Sequence, residues 1–180
     1  MGSKDPDFKP DPQAEAEWIA ARDLERHAPI AQLGPDVLAD DFDAAEALRR
    51  LRACGRTAIA EVLLDQRVMA GIGNVYKSEV LFLARVSPFA PVHTLSDDEL
   101  ARIIAHARRV LAINAAPGAP GRRRTLSRLD PRERAWVYKR AGRPCRTCGA
   151  PIQFARTGEY QRGTYWCEGC QSGRDRHLVS

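Results

Sequence analysis

Two pairs of cysteines, Cys145-x2-Cys148 and Cys167-x2-Cys170, stand 18 residues apart near the end of this 180-residue chain. A Cys-x2-Cys pair lets two thiolates reach one ion from a single tight turn, and two such pairs close a tetrahedral four-sulfur shell. With no position left open, the shell suits a structural Zn²⁺ rather than a catalytic one; iron is the competing ion. Pro144 and Gly149 flank the first pair and Gly169 lies inside the second. So few core-forming residues surround these turns that folding of the segment is expected to be coupled to the metal. The fifth cysteine, Cys54, stands alone and reads as a small buried hydrophobe. An odd count argues against a disulfide framework. His177, beyond the last cysteine, reads as a surface residue.

Between the pairs, "PIQFART", a turn at Gly158-Glu159 and "YQRGTYWC" read as a β-hairpin. Strand alternation puts Arg162 and Thr164 on one face, and Gln161, Gly163 and Tyr165 on the other. A planar, five-donor guanidinium on a metal-pinned hairpin is suited to gripping phosphate. An ordinary surface arginine is the alternative that spacing alone leaves open.

A second signal is "LLDQRVMAGIGNVYKSE". Gly71-x-Gly73 just ahead of a helix offers free N–H groups at a helix N-terminus with no side chains in the way, which is an anion site. Asn74 can cap the helix or donate an amide to phosphate, and Tyr76 and Lys77 fall in its first turn. No strand precedes the turn and Tyr76 stands where a third glycine would be, so the dinucleotide fingerprint is not met; no phosphate-loop lysine is present either. Taken alone, this glycine turn is a weak signal, and a plain connection between helices is the reading it favours.

Charge is distributed unevenly. Residues 1–120 hold 14 Lys/Arg against 18 Asp/Glu, a net −4, whereas residues 121–180 hold 14 against 5, a net +9. A basic, arginine-dense final third is the footprint of a polyanion partner, nucleic acid above all, with a solvated basic tail as the plain alternative. The chain is 44% hydrophobic and 28% charged, as a globular protein is. No apolar run approaches the ~20 residues that span a bilayer, and the N-terminus lacks a signal-peptide core, so a cytoplasmic monomer away from membranes is expected.

The elements that must position these residues are mainly helical. Residues 1–12 read as a leader, Gln13–Arg26 as a short helix, and "HAPIAQLGPDVLADDFD" as an extended linker. Asp43 with Glu46, and Ser96 with Glu99, have the form of capping boxes. They open "AAEALRRLRAC", closed by Gly55, and a long helix with Leu100, Ile103, Ile104, Ala107 and Leu111 at helical spacing, ending before Pro117. "RTAIAEVLLD" and "NVYKSEVLFLARV" are expected to be helices on either side of the glycine turn, and "APGAPGRRRTLSRLDPRER" a loop.

Together, "LLDQRVMAGIGNVYKSEVLF" and "GRPCRTCGAPI…YQRGTYWCEGCQ" closely resemble the C-terminal half of the formamidopyrimidine/endonuclease VIII family of DNA glycosylases, over roughly residues 35–180. The resemblance implies a helix–two-turns–helix domain at 35–118, a basic linker at 119–143 and a zinc finger at 144–180, with 1–34 a leader. It implies that Asn74 and Arg162 pinch the phosphates flanking a damaged nucleotide, with the Gly71–Gly73 turn lending backbone donors. Tyr76, Lys77 and Gln161 join that DNA-binding set, and Cys145, Cys148, Cys167 and Cys170 become the zinc ligands. The partner implied is double-stranded DNA with a lesion or an abasic site.

One departure stands out. Family enzymes attack the sugar with an N-terminal proline amine followed by glutamate, on a separate β-sandwich domain. This sequence begins Met1-Gly2-Ser3 and contains no Pro-Glu pair. The expectation is therefore the DNA-binding half of a bifunctional glycosylase/abasic-site lyase, binding without catalysing, with the catalytic domain missing or supplied by a partner. A stand-alone zinc-dependent nucleic-acid adaptor, for DNA or RNA, is the second reading.

Overall fold

The computed structural model describes residues 32–115, 125 and 134–172, and those from Leu33 onward belong to one compact unit. The helix expected at Gln13–Arg26, the leader, most of the arginine-rich linker and His177 lie outside the described residues.

Two of the helices begin where their caps predict. At α1 (Ala44–Ala53), Asp43 Oδ1 accepts from the Glu46 N–H at 2.9 Å. Glu46 does not return the bond; its carboxylate takes the Arg49 and Arg50 side chains instead. At α4 (Asp97–Ala115) the box is complete: the Glu99 N–H donates to Ser96 Oγ at 3.2 Å, and the Ser96 N–H to Glu99 Oε2 at 2.8 Å. Arg52, in the last turn of α1, donates to the Leu95 carbonyl at 2.6 Å and pairs with Asp97, fixing one helix end to the start of the other. Leu51 from α1 and Leu100, Ile103 and Ala107 from α4 are fully buried in the shared core.

"RTAIAEVLLD" departs from expectation. It yields only one helical turn, α2 (Ile59–Val62). No side chain caps it; its first N–H groups donate to the Ala90 carbonyl (2.9 Å from Ile59) and the Pro88 carbonyl (3.1 Å from Ala60). Asp65 then ends it by accepting from the Arg67 N–H at 3.0 Å, a local turn that competes with continued helix.

The expected linker around residues 33–42 is also corrected: its first part belongs to the core. Val37 is buried, its N–H donates to the Ala70 carbonyl at 3.1 Å, and the Ala70 N–H returns to Pro35 at 3.0 Å. Gly34 lies so close to the next segment that a Cβ would sit 2.4 Å from the Val68 carbonyl oxygen. Only glycine fits there.

Central to the fold is α3 (Asn74–Ala84), whose residues Tyr76 to Phe82 are all buried. A helix covered on every side is the core of its domain. It ends at Arg85, left-handed at φ 61°, where the Val86 N–H reaches back to the Leu81 carbonyl at 3.1 Å.

The metal-type module packs on α3. Strands β1 (Gln153–Thr157) and β2 (Arg162–Trp166) pair antiparallel, with Thr157 opposite Arg162 and Gln153 opposite Trp166. The turn is wider than expected, because Tyr160 and Gln161 belong to it rather than to β2; Gln161 is left-handed at φ 48°. A one-turn helix, α5 (Glu168–Gln171), carries the last cysteine. Val137 and Ile152 bury against Phe82 of α3, on which Trp136 stacks at 5.6 Å. Trp166 packs edge-on against Phe89.

Candidate nucleic-acid interface and metal centre

Three consecutive polar residues of α3 face the hairpin module, and each is used. The Lys77 Nζ donates to Thr164 Oγ1 at 2.9 Å and to the Gly163 carbonyl at 3.3 Å. Ser78 Oγ accepts from the Tyr165 N–H at 3.4 Å. The carboxylate of Glu79, fully buried, accepts the consecutive backbone N–H groups of Trp136, Val137 and Tyr138, each at 2.8 Å, and the Thr125 hydroxyl. Three successive N–H groups turned inward form an anion nest, here filled by the protein's own carboxylate. "KSE" in a helical stretch looks like a solvated face; the sequence alone carried no signal of this role.

This attachment brings the sequence-predicted residues together unequally. Gly73, Asn74, Lys77 and Arg162 line one cleft of about 820 Å³, together with Gln66, Arg67 and Tyr160. Gly73, not Asn74, is the N-cap of α3; Asn74 is its first helical residue. The first intrahelical bond runs from Lys77 to Gly73, so the N–H groups of Gly73, Asn74 and Val75 have no acceptor within the helix. They sit at its positive end. The Asn74 Oδ1, an acceptor, is buried with no hydrogen-bond partner among the described residues.

Gly71, Tyr76 and Gln161 lie apart from the cleft lining. The Gly71 N–H is taken by Gln66 Oε1 at 2.9 Å, while Gln66 Nε2 donates to the Ile72 carbonyl at 3.0 Å. Gln66 thus braces the glycine turn from inside, a role sequence reading did not assign. Tyr76 is part of the core. Gln161 holds the hairpin turn, its Nε2 donating to the Gly158 carbonyl at 3.0 Å.

Alternation correctly placed Arg162 and Thr164 on one face of β2: Thr164 is buried against Lys77, and Arg162 stands exposed beside it in the cleft. Burial first, and the Arg162 guanidinium second, lower the Lys77 ammonium from 10.5 to about 8, with Glu61 opposing. Lys77 therefore lies behind the cleft surface as a tie between α3 and β2.

The four cysteines converge as their spacing predicts. The sulfurs of Cys145, Cys148, Cys167 and Cys170 all lie within 4.8 Å of one another. Cys145 and Cys170 are 3.8 Å apart, and Cys148 and Cys167 3.4 Å. A tetrahedral ion with bonds of ~2.3 Å to sulfur requires edges of about 3.8 Å, so the residues fit a metal. A Cβ on Gly169 would lie 3.0 Å from the Cys148 sulfur, which explains the glycine inside the second pair. The Gln171 side chain then locks the knuckle to the helical body, accepting from the Cys167 N–H at 2.9 Å and donating to the Val86 carbonyl at 2.8 Å. Among the described residues, no helix is long and apolar enough to cross a membrane.

Comparison with known proteins agrees with this architecture. Residues 33–123 match the model of the formamidopyrimidine-DNA glycosylase H2TH domain. The chain is 44% identical over 154 residues to the "Probable endonuclease 8 2" of Streptomyces coelicolor, covering 84% of this chain and 54% of that one. It is 37% identical over 166 residues to the "Formamidopyrimidine-DNA glycosylase" of Yersinia pseudotuberculosis, covering 89% and 60%. Among solved structures, the MutM (Fpg) protein of Thermus thermophilus superimposes with a TM-score of 0.69 at 35% identity, over 82% of this chain and 57% of that one. Lactococcus lactis Fpg, non-covalently bound to DNA containing an AP site, gives 0.71 at 27% identity, over 85% and 55%. The chain spans about half the length of the curated relatives it matches. It belongs to the formamidopyrimidine-DNA glycosylase/endonuclease VIII family.

Proposed function

We propose that this chain binds duplex DNA at damaged or abasic nucleotides, as the backbone-gripping part of a base-excision repair enzyme. The observation that carries the reading is the single cleft in which Asn74, at the start of α3, meets Arg162, on β2. Relatives described as a DNA-(apurinic or apyrimidinic site) lyase and as Fpg bound to abasic-site DNA support it.

Physically, the clamp works on the backbone. Extruding a nucleotide costs a few kcal/mol of stacking and pairing, least at an abasic site, and holding the phosphates on both sides of the kink helps offset that cost. Arg162 supplies a forked pair of donors and Asn74 an amide. Gly73 and the first turn of α3 supply backbone N–H groups at the positive end of the helix. Because the Gly71 N–H is committed to Gln66, Gly71 contributes by shaping the turn. Phosphate contacts of this kind fix register and carry no sequence information.

Cys145, Cys148, Cys167 and Cys170 would hold one structural Zn²⁺, which clips both ends of the hairpin that presents Arg162. The 180 residues contain no Pro-Glu pair, so the chain is proposed to bind abasic DNA without forming a covalent imine. Borohydride treatment of the complex is expected to trap no adduct.

The test compares abasic-analogue duplex, intact duplex and structured RNA at matched salt. Preference for the abasic duplex, lost in Arg162→Ala and Asn74→Ala, supports the clamp. If both variants bind as the parent does, the clamp assignment is wrong. Equal binding of the parent to all three nucleic acids selects the adaptor reading instead.

A further inference from the structure

The hairpin turn carries a feature that the clamp leaves unused. Tyr160 is 77% exposed, the most exposed large apolar side chain among the described residues, and the residues on either side of it in the turn are hydrogen-bonded to one another. The Gln161 N–H donates to the Gly158 carbonyl at 3.1 Å and its Nε2 to the same oxygen at 3.0 Å; Arg156 Nη1 reaches the Gln161 carbonyl at 3.2 Å. Gly158, at φ 71°, seats the turn on α2, with a hypothetical Cβ 3.3 Å from Glu61 Cγ. A hydrogen-bonded turn therefore presents an exposed tyrosine to the cleft that contains Asn74 and Arg162.

We propose that Tyr160 extends the grip on the same strand: its ring covers the deoxyribose beside the phosphate held by Arg162, and its hydroxyl donates to the next phosphate. The inference rests on the clamp reading. In a stacked duplex the base faces are hidden, and what a turn outside the backbone meets is sugar and phosphate. Tyrosine, an apolar ring with a polar tip, suits that surface and is among the side chains that contact phosphate oxygens. Glu61 and Glu159 also line the cleft, so a neutral residue adds contact there without adding charge. A turn already braced loses little further freedom on binding.

The experiment measures affinity of the metal-loaded 180-residue chain for a duplex with one tetrahydrofuran abasic analogue, across a salt series. Tyr160→Ala is expected to weaken binding about fivefold to tenfold, with Tyr160→Phe between it and the parent. Because the contact is uncharged, the slope of log K against log salt should stay at the parent value, whereas Arg162→Ala should reduce it by about one. Parent-like binding by Tyr160→Ala, alongside weakened Arg162→Ala, overturns the inference and leaves the clamp intact. A reduced slope in Tyr160→Ala also overturns it, since the residue would then act by placing Arg162. If neither variant weakens binding, the clamp reading fails and the inference with it.

Discussion

Lys77 Nζ donates to Thr164 Oγ1 across 2.9 Å, and Thr164 Oγ1 in turn lies 2.6 Å from Thr157 Oγ1 on the neighbouring strand. This chain of three side chains joins α3 to both strands of the hairpin. Asn74 stands one helical turn before Lys77, and Arg162 shares a strand face with Thr164. The Lys77–Thr164 contact thus sets the gap between the two residues proposed to grip DNA.

The proposed DNA binding is therefore expected to be sensitive to pH. Burial and Arg162 hold free Lys77 at about 8, and a phosphate entering the cleft would raise it. The complex then holds more proton than the free protein, so affinity is greatest below pH 8 and falls as pH rises through the pKa of the complex. The fall is at most about tenfold per unit of upward shift. Titration of affinity from pH 7 to about 9.5 should show this decline in the parent, and Lys77→Met should bind more weakly with a flatter profile.

Glu79 is expected to be a strong determinant of stability. Replacing it by Gln leaves one acceptor oxygen and puts an amide N–H₂ against groups that are themselves donors. Loss of charge-assisted bonds to buried N–H groups should cost about 3–5 kcal/mol. Denaturant unfolding of Glu79→Gln against the parent measures it; a loss under about 1 kcal/mol would contradict the assigned role.

The two glycines of the turn should separate folding from binding. Gly73 has open space where a Cβ would go and no positive φ, so Gly73→Ala should cost only about 0.5–1 kcal/mol as a poorer cap. Its methyl would nevertheless stand where a phosphate is proposed to approach, and DNA affinity should drop several-fold. Gly71, at φ 102° and with Leu111 3.3 Å from a would-be Cβ, should lose stability instead. Thermal melts and binding curves on both variants test the contrast.

Removing the metal should act locally first. Chelation, or Cys148→Ser, is expected to release the hairpin and with it the Phe89–Trp166 contact, while α1 and α4 persist in their own core. Near-ultraviolet circular dichroism should collapse with little change in the helical far-ultraviolet signal, and DNA affinity should fall with Arg162 no longer held. Simultaneous loss of both signals would show that the helical body depends on the module.

Features whose contacts lie within a few residues were legible in the sequence. Cysteine spacing fixes the four-sulfur cluster because each pair closes over one turn. Ser96 and Glu99 close their box because three helical positions bring side chain and backbone together. The pairing of Arg162 and Thr164 on one face follows from strand alternation alone. Other outcomes depended on which distant segment arrives. "RTAIAEVLLD" has the composition of a helix, yet Ala90 and Pro88 take its first N–H groups and Asp65 stops it after one turn. "KSE" has the polarity of a surface, but the hairpin and residues 136–138 supply partners for every one of its polar groups. A buried charge is tolerated only where such partners converge, and their convergence is a property of the assembled fold.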